Sequence, residues 1–146
     1  MDLTPALGIS TSFSKTVSES DVYLFAGIKG DFAPNHVNEQ FMRGTQYGRR
    51  IAHGALLVGY MSTASTMVNS LMAERLPDIF PVSLGYDRVR ILKPVFIGDT
   101  ITVRYLVESI DVPKNRSLAK VEVSNDRGEL VAAATHLMQW LPRQNP

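Results

Sequence analysis

The chain has 146 residues, of which 45% are hydrophobic and 20% are charged, a balance typical of one globular domain and not of a disordered chain. Its 15 Lys and Arg against 14 Asp and Glu leave a net charge of +1, which gives no electrostatic reason to expect nucleic acid as a partner. Because the chain has no cysteine, a disulfide framework, a cysteine nucleophile and a cysteine-based zinc site are excluded. The N-terminus lacks the pattern of a secretory signal and residues 52–72 are too polar to span a membrane, so we expect a cytoplasmic protein.

The first part of the chain predicts a strand, a short helix and a loop. Alternating residues over 12–17 indicate the strand. Ser18 followed by Asp21 forms a capping-box pattern, which starts a short helix over 21–26. Glycine and proline then predict a loop over 29–36.

A long helix and four strands are predicted in the rest of the chain. One or two helical turns over 38–43 precede a helix over 54–72, which has small or apolar residues nearly all round, the pattern of a helix buried on most sides. Alternation and turn residues predict strands at 81–92, 99–110, 116–125 and 129–140. The sequence therefore predicts the α+β class, with a single domain over 1–146 in which a curved antiparallel sheet of about five strands wraps a long central helix.

One pair of candidate catalytic residues lies in the predicted loop. Gly30 and Pro34 keep this segment out of a helix, so Asp31 and His36 are free to turn toward one point. A carboxylate beside an imidazole can hold a water molecule, with one group taking a proton from the water and the other delivering a proton to the substrate. An isolated Asp and His at this spacing are more often a turn cap and a solvated side chain, so the pair needs support from a second motif.

A second motif stands where the long helix begins. Gly54 follows His53 and opens the helix, so its backbone N–H lies at the positive end of the helix dipole and could hold a developing oxyanion. The structural alternative is that Gly54 lets the helix start close to a neighbouring strand.

Residues 30–54, GDFAPNHVNEQFMRGTQYGRRIAHG, combine the two motifs. This stretch resembles the signature of the MaoC-like, (R)-specific enoyl-CoA hydratase family, in which a G-D-x-N-P-x-H loop is followed by a Phe/Tyr-Gly pair and by I-x-H-G. The matching residues are Gly30, Asp31, Pro34, His36, Tyr47, Gly48, Ile51, His53 and Gly54. Residues 88–103, RVRILKPVFIGDTITV, resemble the second long segment of the family, so the likeness covers most of the chain.

The resemblance implies a hot dog fold and a reaction that adds water across the 2,3 position of an acyl-CoA thioester, or removes it, with no metal and no resident cofactor. It implies Asp31 and His36 as the catalytic pair and the Gly54 N–H as the oxyanion donor. Ser62, on the same side of the helix as Gly54, is a weaker supporting candidate, with close packing as the alternative. The resemblance also implies a homodimer or larger homo-oligomer, which would protect exposed edge strands.

The chain departs from the family pattern in the catalytic loop. Ala33 stands where the family usually has Asn, so activity or substrate choice is expected to differ. Lys29 replaces a small hydroxyl residue and Asn38 replaces an Asp, and neither is expected to touch the chemistry. His136 is interpreted as structural.

Coenzyme A brings phosphates, which need cations. Candidate cations for these phosphates are Arg88, Arg90 and Lys93, with Arg49 and Arg50 as further candidates. Each of them is alternatively a surface charge. Three other functions stay open: a dehydratase that takes its substrate on acyl carrier protein, a hot dog thioesterase, and a non-catalytic acyl-binding subunit.

Overall fold

A computed structural model describes residues 1–144 and contains four helices and five strands. A single 3-10 turn at Thr4–Ala6 precedes them and another, at Val112–Lys114, lies between β3 and β4. In chain order the elements are β1 Ser10–Thr16, α1 Glu19–Lys29, α2 Pro34–Val37, α3 Glu39–Arg43, α4 Gly54–Arg75, β2 Ile79–Ile91, β3 Thr100–Asp111, β4 Arg116–Ser124 and β5 Leu130–Pro142.

The five strands form one antiparallel sheet in the order β1-β3-β4-β5-β2. Strands β3 to β5 are a meander, and β1 and β2 are the two edges. Strand β2 is 13 residues long and contains irregularities between Ser83 and Gly85 and between Asp87 and Arg90. Arg88 lies in the second of these with a left-handed backbone, at φ 53. The predicted α+β class, sheet size and central helix are confirmed.

The core forms where one face of the sheet meets α4. Ile101, Val103, Tyr105 and Val107, the alternating residues of β3, are all at most 1% exposed. They pack in one cluster with Met61 and other buried residues of α4. Burial of such side chains stabilises the fold by roughly 1.5–3 kcal/mol each.

Two sequence predictions need correction. The segment 29–36 is not loop throughout, since α1 continues to Lys29 and α2 begins at Pro34; a proline suits the first position of a helix because it lacks only an N–H that would be unpaired there. Helix α4 is not buried on most sides, because the sheet covers one face and leaves small and polar residues such as Ser62 and Thr66 exposed. Within residues 1–144, no helix is long and apolar enough to cross a membrane.

Candidate active site

The position of Asp31 is set by the end of α1 before it and by the backbone of the loop after it. Helix α1 starts with the predicted capping box, in which Ser18 accepts from the Asp21 N–H and Asp21 accepts from the Ser18 N–H. It ends at Gly30, whose φ of 75 lets the chain reverse directly before Asp31. The Ala33 N–H then donates to Asp31 Oδ1 at 3.2 Å. Ala33 departs from the family pattern in its side chain, but its backbone still holds the carboxylate.

His36 lies on α2 and is 8% exposed. Its Nδ1 is 2.8 Å from the carbonyl oxygen of Ile51, and a carbonyl only accepts, so Nδ1 carries the proton. In the neutral form of the ring the lone pair therefore lies on Nε2. The amide of Asn35 lies 3.2 Å from that Nε2 and donates to it.

His53 joins the two sequence motifs in space. Its Nε2 donates to the backbone carbonyl of Asp31 at 3.0 Å. Its ring stacks on the ring of His36, with centroids 3.7 Å apart and planes at 27°. The edge of Phe25 from α1 lies 5.3 Å away. Asp31, His36 and the start of α4 are thus brought into one cluster, as the sequence predicts.

The cluster has the composition of a metal site but not its geometry. One ligand-type atom from each of Asp31, His36 and His53 lies within 4.8 Å of the others. A metal ion bound by an imidazole lies in the plane of the ring. Because the two rings are stacked, their planes lie side by side, and an ion in the plane of one ring lies outside the plane of the other. The residues present do not fit a metal, and a metal-free reaction stays a prediction.

Gly54 begins α4 and packs against β2. Its N–H has no hydrogen-bond acceptor within residues 1–144, as expected for the first turn of a helix. A Cβ at this position would lie 3.0 Å from Cγ1 of Ile91. The steric interpretation of this glycine is therefore confirmed, and the free N–H stays available for the predicted oxyanion role.

Lys29 contacts the proposed chemistry, contrary to expectation. Its Nζ lies 3.1 Å from Asp31 Oδ2, because the last turn of α1 ends two residues before Asp31. The Lys29 ammonium is the main cause that lowers the pKa of Asp31, followed by the Ala33 N–H. Asp31 is therefore ionised at neutral pH. Lys29 and Asn35 are the two site residues that the sequence prediction missed, because neither stands in a matched motif position.

The structure does not bring Ser62 to the pair. Within residues 1–144 its hydroxyl makes no hydrogen bond to Asp31 or His36, and its carbonyl accepts from the Ser65 hydroxyl at 2.8 Å. Ser62 lies near Tyr86 of β2: burial raises the pKa of the Tyr86 phenol, and the hydroxyls of Ser65 and Ser62 offset part of the rise. Tyr86 Oη itself has no hydrogen bond of good geometry within these residues. Supporting catalysis through Ser62 stays a prediction.

The candidate cations for the coenzyme A phosphates divide into side chains that are held by acidic partners and side chains that form no ion pair in the described residues. Arg50 is held by Glu19, Glu39 and the Tyr23 hydroxyl, at 2.5, 3.0 and 3.0 Å. Arg49 lies over the Phe96 ring and 3.8 Å from Asp99.

Lys93 pairs with Glu129 at 2.5 Å. In contrast, Arg88 and Arg90 form no ion pair within residues 1–144, and both side chains are exposed. These two remain the stronger candidates for the phosphates.

The antiparallel sheet and the long helix define a hot dog protein, and an Asp–His cluster lies at the start of that helix. The chain belongs to the MaoC-like family, since the MaoC like domain matches residues 4–128. It is 38% identical over 109 residues to an (R)-specific enoyl-CoA hydratase of Rhodospirillum rubrum, covering 75% of this chain and 69% of that protein.

Two further relatives extend the match. The chain is 33% identical over 138 residues to a 3-hydroxybutyryl-CoA dehydratase of Methylorubrum extorquens, covering 94% and 82% of the two chains. The crystal structure of the (R)-hydratase of Aeromonas caviae involved in PHA biosynthesis superimposes with a TM-score of 0.78 at 25% identity, covering 94% of this chain and 98% of that chain. The predicted family and fold are confirmed.

Proposed function

We propose that this protein is an (R)-specific enoyl-CoA hydratase, a hydro-lyase that also runs as a (3R)-hydroxyacyl-CoA dehydratase. The observation that carries the proposal is the arrangement at the start of α4. An ionised carboxylate on Asp31 and the imidazole of His36 lie in one cluster with His53, the residue directly before Gly54 and its free N–H. The named relatives are an (R)-specific enoyl-CoA hydratase and a 3-hydroxybutyryl-CoA dehydratase, so both act on CoA thioesters.

The cluster can hold and activate one water molecule. Asp31 is an acceptor, and Nε2 of His36 becomes an acceptor for water when a water molecule takes the place of the Asn35 amide. A water between the two groups then donates both of its protons and turns a lone pair toward the substrate. Attack of the water oxygen on the β carbon moves electrons onto the thioester oxygen, where the Gly54 N–H stabilises the negative charge. The pair removes a proton from the water and returns one to the α carbon. No step needs a metal or a resident cofactor.

We propose that the acyl group arrives on coenzyme A and that Arg88 and Arg90 contact its phosphates, with Lys93 as a weaker third cation. The two arginines are exposed and free of ion pairs in the described residues, whereas Lys93 is engaged by Glu129. A cytoplasmic role in fatty acid metabolism is consistent with this substrate class. Charge reversal at Arg88 and Arg90 is expected to raise KM for the CoA substrate at least about tenfold with little change in kcat.

The protein is proposed to act as a homodimer through the β2 edge. This strand is long and unpaired on one side, and an exposed edge invites pairing with a second chain. Three alternate apolar residues, Phe80, Val82 and Leu84, are 38 to 48% exposed on it. Light scattering should give twice the chain mass at working concentration, and Val82→Pro should shift it toward the monomer.

The decisive experiment is hydration of crotonyl-CoA, followed by loss of ultraviolet absorbance of the conjugated thioester. We expect activity in the wild type and a fall of at least about 100-fold in Asp31→Asn and in His36→Ala. Inactivity of the wild type toward crotonyl-CoA and toward longer or branched enoyl-CoA substrates would refute the proposal.

The same preparation separates the alternatives. Release of free thiol, detected with a thiol reagent, would indicate a thioesterase. Activity only when the same acyl group is carried on acyl carrier protein would indicate the protein-carrier enzyme. Tight acyl-CoA binding without turnover would indicate a non-catalytic subunit.

A further inference from the structure

His53 occupies an unusual position for a residue with no assigned part in the reaction. It is 1% exposed and lies at the N-cap of α4, one residue before the proposed oxyanion donor Gly54. Its ring is in contact with His36, and its Nε2 is bound to the backbone of Asp31. One buried side chain therefore touches or adjoins every group of the proposed mechanism.

The two histidines hold the two motifs together in a reciprocal way. His36, from the catalytic loop, donates to the carbonyl of Ile51 in the second motif at 2.8 Å. His53, from the second motif, donates to the carbonyl of Asp31 in the catalytic loop at 3.0 Å. The Ile51 N–H adds a third bond, to the carbonyl of Asn35 at 3.0 Å. The loop has only short helical turns of its own, so these bonds fix the distance between Asp31 and His36.

His53 is kept neutral in this position. Burial is the main cause that lowers its pKa, and charge on His36 and Lys29 acts in the same direction, while the Asp31 carbonyl and carboxylate oppose it. With its proton on Nε2, Nδ1 carries a buried lone pair that has no partner within residues 1–144. A neutral aromatic ring presents an electron-rich face to the neighbouring imidazole.

That face matters when His36 becomes charged. If the His36 ring takes a proton during the reaction, an imidazolium lies against the face of a neutral ring, which attracts cations. A second positive charge at 3.7 Å would oppose that step instead. The charged or titratable groups that act on the stack are Asp31, Lys29 and His36 itself.

We propose that His53 is the positioning residue of this site: its donor holds the Asp31 backbone and its neutral ring supports the charged form of His36. This inference rests on the proposed hydratase function. In this proposal His53 makes two contributions, the hydrogen bond to Asp31 and the ring stacked on His36. Substitutions can remove the two contributions one at a time.

Three substitutions test the two contributions. His53→Phe keeps a ring to stack on His36 and removes the donor to Asp31. His53→Gln keeps an amide donor at the place of Nε2 and removes the ring. His53→Ala removes both. His136→Phe is the matched control, because it replaces another fully buried histidine, away from the site.

We expect kcat for crotonyl-CoA hydration to fall about 10- to 100-fold in His53→Phe, with KM within about threefold, because positioning acts on the chemical step. In His53→Gln we expect the acidic limb of kcat/KM against pH to move about half a pH unit lower, because the imidazolium loses its aromatic support. His53→Phe should leave that limb in place, and His53→Ala should show both changes. The control should change neither kcat nor the pH limb of the folded enzyme.

Unchanged kcat and pH profile in all three variants would overturn the inference, as would losses that follow only the folded fraction measured by circular dichroism. A wild type that is inactive on every substrate would refute the proposed function. The role of His53 can then still be tested by NMR, which needs no activity. Imidazole 15N spectra recorded against pH should show that His36 takes up its proton at a lower pH in His53→Gln than in the wild type, because the imidazolium loses the stacked ring. Proton uptake by His36 at the same pH in both proteins would overturn the inference without any activity measurement.

Discussion

Two parts of this protein hold a buried histidine against an aromatic ring, and they differ in how the ring nitrogens are satisfied. In the sheet, His136 stacks on Tyr86 with centroids 4.3 Å apart, and both of its nitrogens have partners. Tyr105 Oη is 2.7 Å from Nδ1 and Ser83 Oγ is 2.8 Å from Nε2. At the active site, Nε2 of His36 meets only the Asn35 amide, and Nδ1 of His53 meets nothing in the described residues.

The direction of the bonds makes the sheet histidine inert. Burial raises the pKa of Tyr105, so its phenol keeps its proton and donates it to Nδ1 of His136. Nε2 must then carry a proton and donate to Ser83, so Ser83 is not activated as a nucleophile despite the resemblance to a Ser–His pair. The lone pair of His136 is held by a buried phenol, so this histidine serves the fold. The lone pair of His36 accepts only from the half-buried Asn35 amide, so it can take a proton when a water molecule replaces that amide.

The largest test of this contrast replaces each histidine by glutamine. His36→Gln should lower kcat about 100- to 10,000-fold, because glutamine cannot accept the proton. His136→Gln should destabilise the fold by about 1–3 kcal/mol while kcat of the folded enzyme stays within about twofold. Crotonyl-CoA kinetics and urea unfolding of both variants check this. Equal loss of activity in the two would remove the distinction.

A second test concerns the open backbone donor. Gly54→Pro removes the N–H at a helix position that accepts proline, whereas Gly54→Ala keeps the N–H and adds the Cβ that meets Ile91. Loss of an oxyanion donor typically costs about 100- to 1,000-fold in kcat. We expect kcat of Gly54→Pro to fall by about that factor below that of Gly54→Ala. A purely steric role would make the two variants alike, and Ile91→Ala would then rescue both.

The third test uses pH and the sheet histidine. Burial lowers the pKa of His136 from 6.5 to about 4, so the folded protein resists a proton that the unfolded chain accepts. The contribution to stability is complete above pH 6.5 and is lost as the pH falls from 6.5 toward 4, with a total of roughly 3 kcal/mol. Urea unfolding at pH 7 and pH 4.5 should show this loss in the wild type and a smaller one in His136→Gln. Equal losses would mean that other groups cause the pH dependence.

The sequence predicted the fold because its signals are local and repeated. Alternation in β3 and the absence of proline in α4 place the sheet and helix directly, and the boundaries differ by three residues or fewer for most elements. The exposure of half of α4 was not predictable from its sequence, because small residues fit both a buried helix and a helix that has one uncovered face.

The site was predictable only as far as motif spacing reaches. Asp31, His36 and Gly54 follow from the matched segments, and the structure brings Asp31 and His36 together with His53, the residue before Gly54. The direction of a side chain that leaves a helix end does not follow from a motif, so the contact of Lys29 with Asp31 was missed. The same holds for Asn35, whose amide reaches its own neighbour in the chain because α2 is a single turn.

The smallest expected effect comes from Lys29, a residue that departs from the family pattern and forms an ion pair with one oxygen of the Asp31 carboxylate. The ion pair is partly exposed, at 31 and 37% of the two side chains, so solvent screens it and only a modest change is expected. Because Lys29 lowers the pKa of Asp31, Lys29→Met should raise that pKa, as measured from the pH profile of the Asp31 carboxyl carbon signal in NMR spectra.

Lys114→Met is the matched control for this prediction, since Lys114 pairs with Asp111 at 3.3 Å far along the chain from the site. It removes the same charge and should leave the pH profile unchanged. Adding salt should shrink the difference between wild type and Lys29→Met, because an exposed pair weakens as the ionic strength rises. A shift of the same size in both variants would mean that net charge, and not the contact between Lys29 and Asp31, sets the pH profile.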